Sequence, residues 1–310
     1  MTKFKFLITT KNRQKDLVFT LNEMSDILNR CDVDCTIIDD GSTDNTYNIV
    51  KEKFPLLDIQ RNEISNGYIY CRNKMLNETD AEFAISLDDD AHFISKNSLE
   101  LIEKHFNNNP SCGLIAFRIF WSLEETNCIT TNDTTHQVKS FVGCGHAWRT
   151  KAWKSIPNYP EWYEFYGEES FASMQLFKKK WKVDYNPEIL IQHRVDLKNR
   201  AKQKKEFSFR YRRSLRAGWY NIFLFYPKKK VAYYFAYSIL MQFKKIVKGN
   251  FKVIKPFFFA FLDLIKSFPT ILKNRNKFTE EEFDSYKKLS EPKIYWKPQN
   301  NYIYLLPKKV

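Results

Sequence analysis

Phe83-Ala84-Ile85-Ser86-Leu87-Asp88-Asp89-Asp90-Ala91 runs from an apolar stretch straight into three adjacent carboxylates. Phe83-Ala84-Ile85 reads as a buried strand that ends at them. Three like charges in a row repel one another, and the arrangement is costly unless a cation sits among them. Carboxylate oxygens are the hard ligands that Mg2+ and Mn2+ prefer, and such ions typically bridge one or two protein carboxylates to phosphate oxygens. An acidic loop or helix cap on a solvated surface has the same composition. The flanking sequence weighs between the two.

Upstream, Lys3-Phe4-Lys5-Phe6-Leu7-Ile8-Thr9 reads as a strand and Lys11-Asn12-Arg13 as a loop. Leu17, Leu21, Met24, Ile27 and Leu28 follow at helical spacing. A second strand, Asp34-Cys35-Thr36-Ile37-Ile38, ends in Asp39-Asp40-Gly41-Ser42-Thr43-Asp44. Ser42 or Thr43 is expected to cap a helix over Asn45 to Lys53. Strand and helix alternating through short connections predict a mostly parallel α/β sheet flanked by helices. In such sheets ligands bind beyond the carboxyl ends of the strands. Thr9, Asp39-Asp40 and Asp88-Asp89-Asp90 all fall there, which surface decoration does not explain.

Ile37-Ile38-Asp39-Asp40-Gly41-Ser42-Thr43-Asp44-Asn45-Thr46 resembles the nucleotide-binding strand end of family 2 glycosyltransferases. Thr9-Thr10-Lys11-Asn12-Arg13 resembles their first loop. Asn66-Gly67-Tyr68 with Cys71-Arg72-Asn73 is similar to their N-x-G and A-R-N segment, with cysteine for alanine. Leu87-Asp88-Asp89-Asp90 resembles their D-x-D motif. The likeness covers roughly residues 1–200 and implies a GT-A fold, one α/β domain that binds a nucleoside-diphosphate sugar. By that resemblance Thr9, Asn12, Arg13, Asp39, Asp40, Gly67, Arg72, Asp88 and Asp89 belong to the nucleotide-sugar site. Asp39 would accept the pyrimidine N–H, of uridine or thymidine alike, with Thr9 beside the base. Asp88 would approach the ribose or donor sugar, Arg72 would lie near the donor, and Asp90 would be the main ligand of Mn2+ or Mg2+.

Downstream, Asn97 to Phe106 predicts a helix, Gly113 to Phe120 a strand, and the Thr-rich Asn127 to Val138 a hairpin or loop near the acceptor. Phe141 to Ala147 is a strand punctuated by glycines, which commonly mark close backbone approach. The resemblance places Gly145 under the donor sugar. His146 reads as a packing or hydrogen-bonding residue. The aromatic residues Trp121, Trp148, Trp153, Trp162 and Tyr163 suit sugar rings but are more often core. Phe171, Met174, Leu176-Phe177 and Trp181 give a helix its apolar face, so Glu168 and Glu169 sit in its first turn. There they either serve the helix dipole or act as a general base. The family's acceptor motif favours Glu169 as base, with Glu168 as the alternative. Lys182 to Tyr185 and Glu188 to Ile191 read as two short strands joined by Asn186-Pro187. His193, just beyond them, resembles the family's third motif, with a role in binding metal or diphosphate.

The 310 residues carry a net charge of +14, distributed unevenly. Residues 198–310 hold 27 Lys/Arg against 7 Asp/Glu, and residues 1–197 hold 23 against 29. This division predicts a catalytic domain over 1–200 and a basic, aromatic, mainly helical region over 201–310. The apolar run Val231 to Phe243 is too short to span a bilayer. Basic residues alternating with Phe, Tyr, Leu and Ile at helical spacing suit a helix in the membrane interface. A packing subdomain, or a homo-oligomer contact, is the competing reading; no nucleic-acid module is present, so no nucleic acid is expected. Six cysteines without a C-x-x-C pair, and a first strand entered at once from Met1, predict a reducing cytosol and no signal peptide. The resemblance implies an inverting, metal-dependent glycosyltransferase, and the basic region suits a peripheral place on the inner face of the membrane. Its acceptor would be a saccharide or lipid-linked saccharide of a cell-surface polysaccharide. A nucleotidyltransferase is the alternative enzyme, though Thr9 to Arg13 lacks the glycines its loop needs. A non-catalytic carbohydrate- or lipid-binding protein is the alternative outside catalysis.

Overall fold

A computed structural model describes residues 2–124, 126, 130–196 and 204–293, and the chain divides into two compact units. The first comprises Met1–Glu161, Ala172–Val195 and Leu289–Lys297; the second comprises Trp162–Phe171, Asp196–Lys288 and Pro298–Val310. Tyr295-Trp296 and Tyr302 to Leu305, together with Cys128 and part of the Thr-rich loop, lie outside the described residues.

The first unit is built on a nine-stranded sheet. Its opening half alternates as the sequence predicts: β1 (Phe4–Thr10), α1 (Gln14–Glu23), α2 (Ser25–Leu28), β2 (Val33–Asp39), α3 (Thr46–Lys53), β3 (Asp58–Arg61), α4 (Tyr68–Glu78), β4 (Phe83–Asp88). The predicted helix through Leu28 is two helices, because the chain leaves helical geometry at Met24. Neither Ser42 nor Thr43 caps α3: the N-cap position is Asn45, without a side-chain cap, and Asp44 Oδ1 accepts the Thr46 N–H at 3.0 Å. Ser42 Oγ is occupied by the Asn12 N–H at 2.9 Å.

There follow β5 (Ala91–Phe93), α5 (Ser98–Asn108), β6 (Cys112–Trp121), β7 (His136–Gln137), β8 (Gly145–Arg149), α6 (Thr150–Trp153), α7 (Glu168–Lys178) and β9 (Lys182–His193). The strand order is β3-β2-β1-β4-β8-β6-β9-β5, with β7 also on β9. β3, β2, β1 and β4 are parallel, whereas β8 lies antiparallel between β4 and β6. β9 is one strand where the sequence suggests two. Asn186-Pro187 does not end it; a register shift against β6 between Phe117 and Arg118 takes up the extra residues. Phe6, Ile8, Ile37, Ile85 and Leu87 fill the core with Leu17 and Leu21 of α1. Each such side chain contributes about 1.5–3 kcal/mol on burial.

At the starting ends of β6 and β9, His105, Cys112 and Asp184 form a buried polar group. His105 Nε2 lies 3.2 Å from Asp184 Oδ2, Asn186 Nδ2 lies 3.4 Å from His105 Nδ1, and the Cys112 thiol donates to the Leu114 carbonyl at 3.3 Å. Each member finds a partner within the strands and α5, so the group pins that end of the sheet.

In the second unit, α8 (Lys204–Phe225), α9 (Lys228–Val247), α10 (Ile254–Lys273) and α11 (Glu280–Lys288) are helical. α8 is the centre. Its Arg212 donates from Nε to Asp263 Oδ2 at 2.6 Å and from Nη2 to Oδ1 at 2.5 Å, the paired geometry a guanidinium favours. Arg216 reaches the same carboxylate at 3.3 Å. Trp219 donates to Ser238 Oγ at 2.9 Å and thereby ties α9 to α8. Thr279 and Glu282 cap α11 reciprocally, at 3.0 and 2.9 Å. Among the described residues no helix is long and apolar enough to cross a membrane.

Candidate active site

Parallel pairing puts the ends of three strands on one rim, with Thr10 opposite Asp39 and Thr9 opposite Asp88. β1 has β2 on one side and β4 on the other, so the chain reverses its direction of travel across the sheet here. Such a reversal opens a crevice at the carboxyl ends.

At the β2 end, Asp39 is fully buried. Its Oδ1 accepts the Ser42 N–H at 2.9 Å, while Oδ2 has no hydrogen-bond partner and lies 3.9 Å from Arg61 Nε. Thr9 Oγ1 is likewise buried without a partner. Asp40 is different. It accepts Asn62 Nδ2 (2.8 Å), Ser65 Oγ (2.6 Å) and the backbone N–H groups of Asn66 (2.8 Å) and Gly67 (2.9 Å). Burial raises its pKa, but these four donors prevail and hold it below the usual range. Asp40 therefore shapes the loop that leads through Gly67 into α4. Asn12 does similar work from the first loop, its Oδ1 accepting the Thr43 N–H at 2.7 Å.

The acidic triplet is neutralised by the protein itself. Arg72 Nη2 donates to Asp88 Oδ1 at 2.5 Å, and Arg13 Nη2 to Asp90 Oδ2 at 2.6 Å. Arg13 Nε lies 3.3 Å from Asp89 Oδ1, and Thr10 Oγ1 donates to Asp89 Oδ2 at 2.8 Å. Burial, with Asp90 and Asp88 beside it, pushes Asp89 up to about 7 against the pull of Arg13 and Thr10. These side chains supply the cations that the bare motif demands.

β5 runs antiparallel to the end of β9, with Ala91 opposite His193, and brings His193 to the triplet. His193 Nε2 stands 3.0 Å from Asp90 Oδ1 and 3.9 Å from Asp88 Oδ2. Burial opposes ionisation of both partners; the His193 hydrogen bond and charge nevertheless hold Asp90 at about 2. On His193, Cys144 and Asp90 outweigh burial and raise the imidazole well above its ordinary value. Trp121 meets the imidazole edge-on at 5.6 Å.

Each carboxylate of Asp88 and Asp90 thus has one oxygen held by an arginine and the other turned towards His193. Oxygens of Asp88 and Asp90 and a ring nitrogen of His193 lie within 4.8 Å of one another. Two carboxylates and an imidazole suit Mn2+ and accept Mg2+ less readily. The residues present fit a divalent cation.

Some residues the sequence did not single out support this arrangement. The Arg194 N–H donates to the Asp90 carbonyl at 2.9 Å, and its guanidinium reaches Thr20 Oγ1 at 2.6 Å. Thr20 Oγ1 donates to the Asp89 carbonyl at 2.8 Å. Position beside His193 was the one available signal for Arg194. Gly145 is close-packed: a Cβ there would stand 3.2 Å from Ile191 and 3.5 Å from Ile119. His146 is fully buried against Phe141 and Trp148 and kept neutral by burial and Arg72. Trp148 and Trp153 are core. Glu168 and Glu169 open α7, Glu168 buried and Glu169 partly exposed.

Solved structures share this architecture. PcManGT, a mannosyltransferase from Pyrobaculum calidifontis in complex with GDP-Man and Mn2+, aligns with a TM-score of 0.52 at 15% identity, over 69% of this chain and 61% of its own. TarS 1-349 of S. aureus in complex with UDP-GlcNAc aligns at 0.51 and 16% identity, over 68% and 65%. GalNAc-T7 with UDP, GalNAc and Mn2+ aligns at 0.51 and 13%, over 68% and 48%. The chain spans 61% of PcManGT and 38% of a longer TarS structure. These likenesses establish a GT-A fold, as expected from the sequence. The chain belongs to glycosyl transferase family 2, whose family model matches residues 6–172. No curated protein sequence matches it.

Proposed function

We propose that this protein is an inverting, metal-dependent glycosyltransferase. It transfers a sugar from a UDP or dTDP donor to a hydroxyl of a saccharide or lipid-linked saccharide, in cell-surface polysaccharide synthesis. The observation that carries this reading is the division of labour at Asp88 and Asp90, one oxygen of each pinned by Arg72 or Arg13 and the other facing His193. Asp88, Asp90 and His193 would hold the cation. When bound, Mn2+ or Mg2+ stabilises, as a Lewis acid, the charge that develops on the leaving diphosphate.

The unpartnered Oδ2 of Asp39 accepts the N–H of the donor base, with Thr9 beside it. The acceptor oxygen forms a bond to the anomeric carbon as the bond to the diphosphate oxygen breaks, and the nucleoside diphosphate departs. Glu169 takes the proton of the acceptor hydroxyl; its partial exposure suits that role better than the burial of Glu168. An anionic membrane surface on the cytoplasmic side is the place of work, reached through the basic helices.

Calorimetric titration of UDP, dTDP and GDP, with and without Mn2+, on wild type and Asp90→Ala tests the donor site. One nucleotide binding only with metal, and not to the variant, is the expected result. Equal binding by wild type and Asp90→Ala would refute it.

A further inference from the structure

α10 carries two apolar faces where a helix of a folded domain ordinarily has one. The inner face, with Ala260, Asp263, Leu264 and Ile271, is buried, and its Asp263 bonds α8. The second face reads Ile254, Phe258, Phe261, Ile265, Phe268, Leu272, spaced four, three, four, three, four. These six side chains are between 37% and 57% exposed. At about 100° per residue they fall within an arc of about 80°. Lys255, Lys266 and Lys273 line up together on one side of that arc, about 60–80° beyond its edge. α9 exposes Tyr233, Tyr237, Leu240 and Val247 at similar spacing, and its Phe243 meets Phe257 with centroids 5.8 Å apart. An exposed apolar stripe of this length marks an interaction site.

We propose that this face of α10, with its neighbour on α9, lies in the headgroup region of an anionic bilayer. The axis of α10 runs parallel to the membrane plane, Phe258, Phe261 and Ile265 enter the acyl boundary, and Lys255, Lys266 and Lys273 meet lipid phosphates. The inference rests on the membrane partner proposed above and adds the residues and the orientation. Charge decides between occupants. Residues 228–275 hold eleven Lys/Arg and one carboxylate, Asp263, which is spent on the inner face. A second copy would bring lysine against lysine with no acid to answer it; an anionic surface complements the lysines directly. Phe and Tyr on the other side of the lysine line match a helix buried about 5–10 Å into the interface.

Flotation of the full-length protein with phosphatidylcholine vesicles, with and without phosphatidylglycerol, tests this. Wild type is expected to float with the phosphatidylglycerol vesicles and to dissociate at high salt. Lys255→Gln/Lys266→Gln/Lys273→Gln removes three lysines worth about 1 kcal/mol each, so partitioning falls on the order of 100-fold. Phe258→Gln/Ile265→Gln/Leu272→Gln is expected to lose at least as much. All six positions are solvent-facing, and unchanged circular dichroism checks that both variants fold. If wild type floats and both variants float equally well, this face is wrong while the membrane partner stands. If wild type floats with no vesicle, both fail. A dimer that the apolar variant dissociates, without vesicle binding, assigns the face to a second copy and overturns the proposal.

Discussion

Asp90 Oδ1 and His193 Nε2 stand 3.0 Å apart because Ala91 and His193 face each other across two antiparallel strands. The other oxygen of Asp90 is already taken by Arg13 at 2.6 Å. Arg13 therefore aims the carboxylate without touching the shared space. Arg13→Met should weaken Mn2+ binding by about 10–100-fold, as loss of a ligand-orienting partner does. Titration of Mn2+ by its electron paramagnetic resonance signal would read this, and undiminished affinity would exclude an orienting role.

Glu169→Gln keeps the shape of the side chain and removes its basicity. Turnover should drop by about 10²–10⁴-fold while nucleotide affinity is retained. Running Glu168→Gln in the same assay separates the two carboxylates; a larger loss there would transfer the base to Glu168.

Gly41 sits at φ +72°, and a Cβ on it would come within 2.9 Å of the Ser65 backbone nitrogen. Ser65 is one of the donors to Asp40. Gly41→Ala should cost about 1–3 kcal/mol from the backbone strain. Nucleotide affinity should fall with it, as the loop around Asp40 is displaced. Denaturant unfolding and calorimetry check the two effects separately.

Asp263 on α10 holds α8 of the second unit through Arg212 and Arg216. Burial raises its pKa, but the Arg212 hydrogen bonds and both guanidinium charges bring it below the usual carboxylate range. Its contribution is complete above the ordinary carboxylate value of about 3.9 and fades as pH falls through the lowered one. Asp263→Ala leaves Arg216 buried without this partner and should cost about 3–5 kcal/mol near neutral pH. That deficit should shrink on acidification below about pH 4, where wild type loses the same pairing. A deficit independent of pH, measured by urea unfolding, would refute the ionic explanation.

Much of the rim was legible. Phe4 to Thr9, Cys35 to Ile38 and Phe83 to Leu87 are apolar runs long enough to announce strands, and each stops at the polar residue that reaches the rim. The partners of those residues were not legible, since Arg13 with Asp90 and Arg72 with Asp88 are long-range pairs that no local pattern encodes. Ala91 to Phe93 is too short to show a period, so the sequence announces neither β5 nor the physical reason His193 approaches Asp90. β9 looked like two strands because Pro187 removes a donor; an irregularity in pairing tolerates that loss. The helices of the second unit were readable from spacing, whereas the exposed heptad-like stripe of α10 emerges only once its inner face is known.

β9 also works as a ruler. Against β6, Asn186 pairs with Phe117 and Leu190 with Arg118, so three residues of β9 have no counterpart there. Because successive side chains of a strand alternate in direction, the parity of that interval sets which way His193 points. One residue more or fewer between Asn186 and Leu190 would turn the imidazole from Asp90 to the opposite face, every acidic residue remaining in place. The capacity to gather a cation is thus encoded partly as a length, far along the strand from the charges themselves.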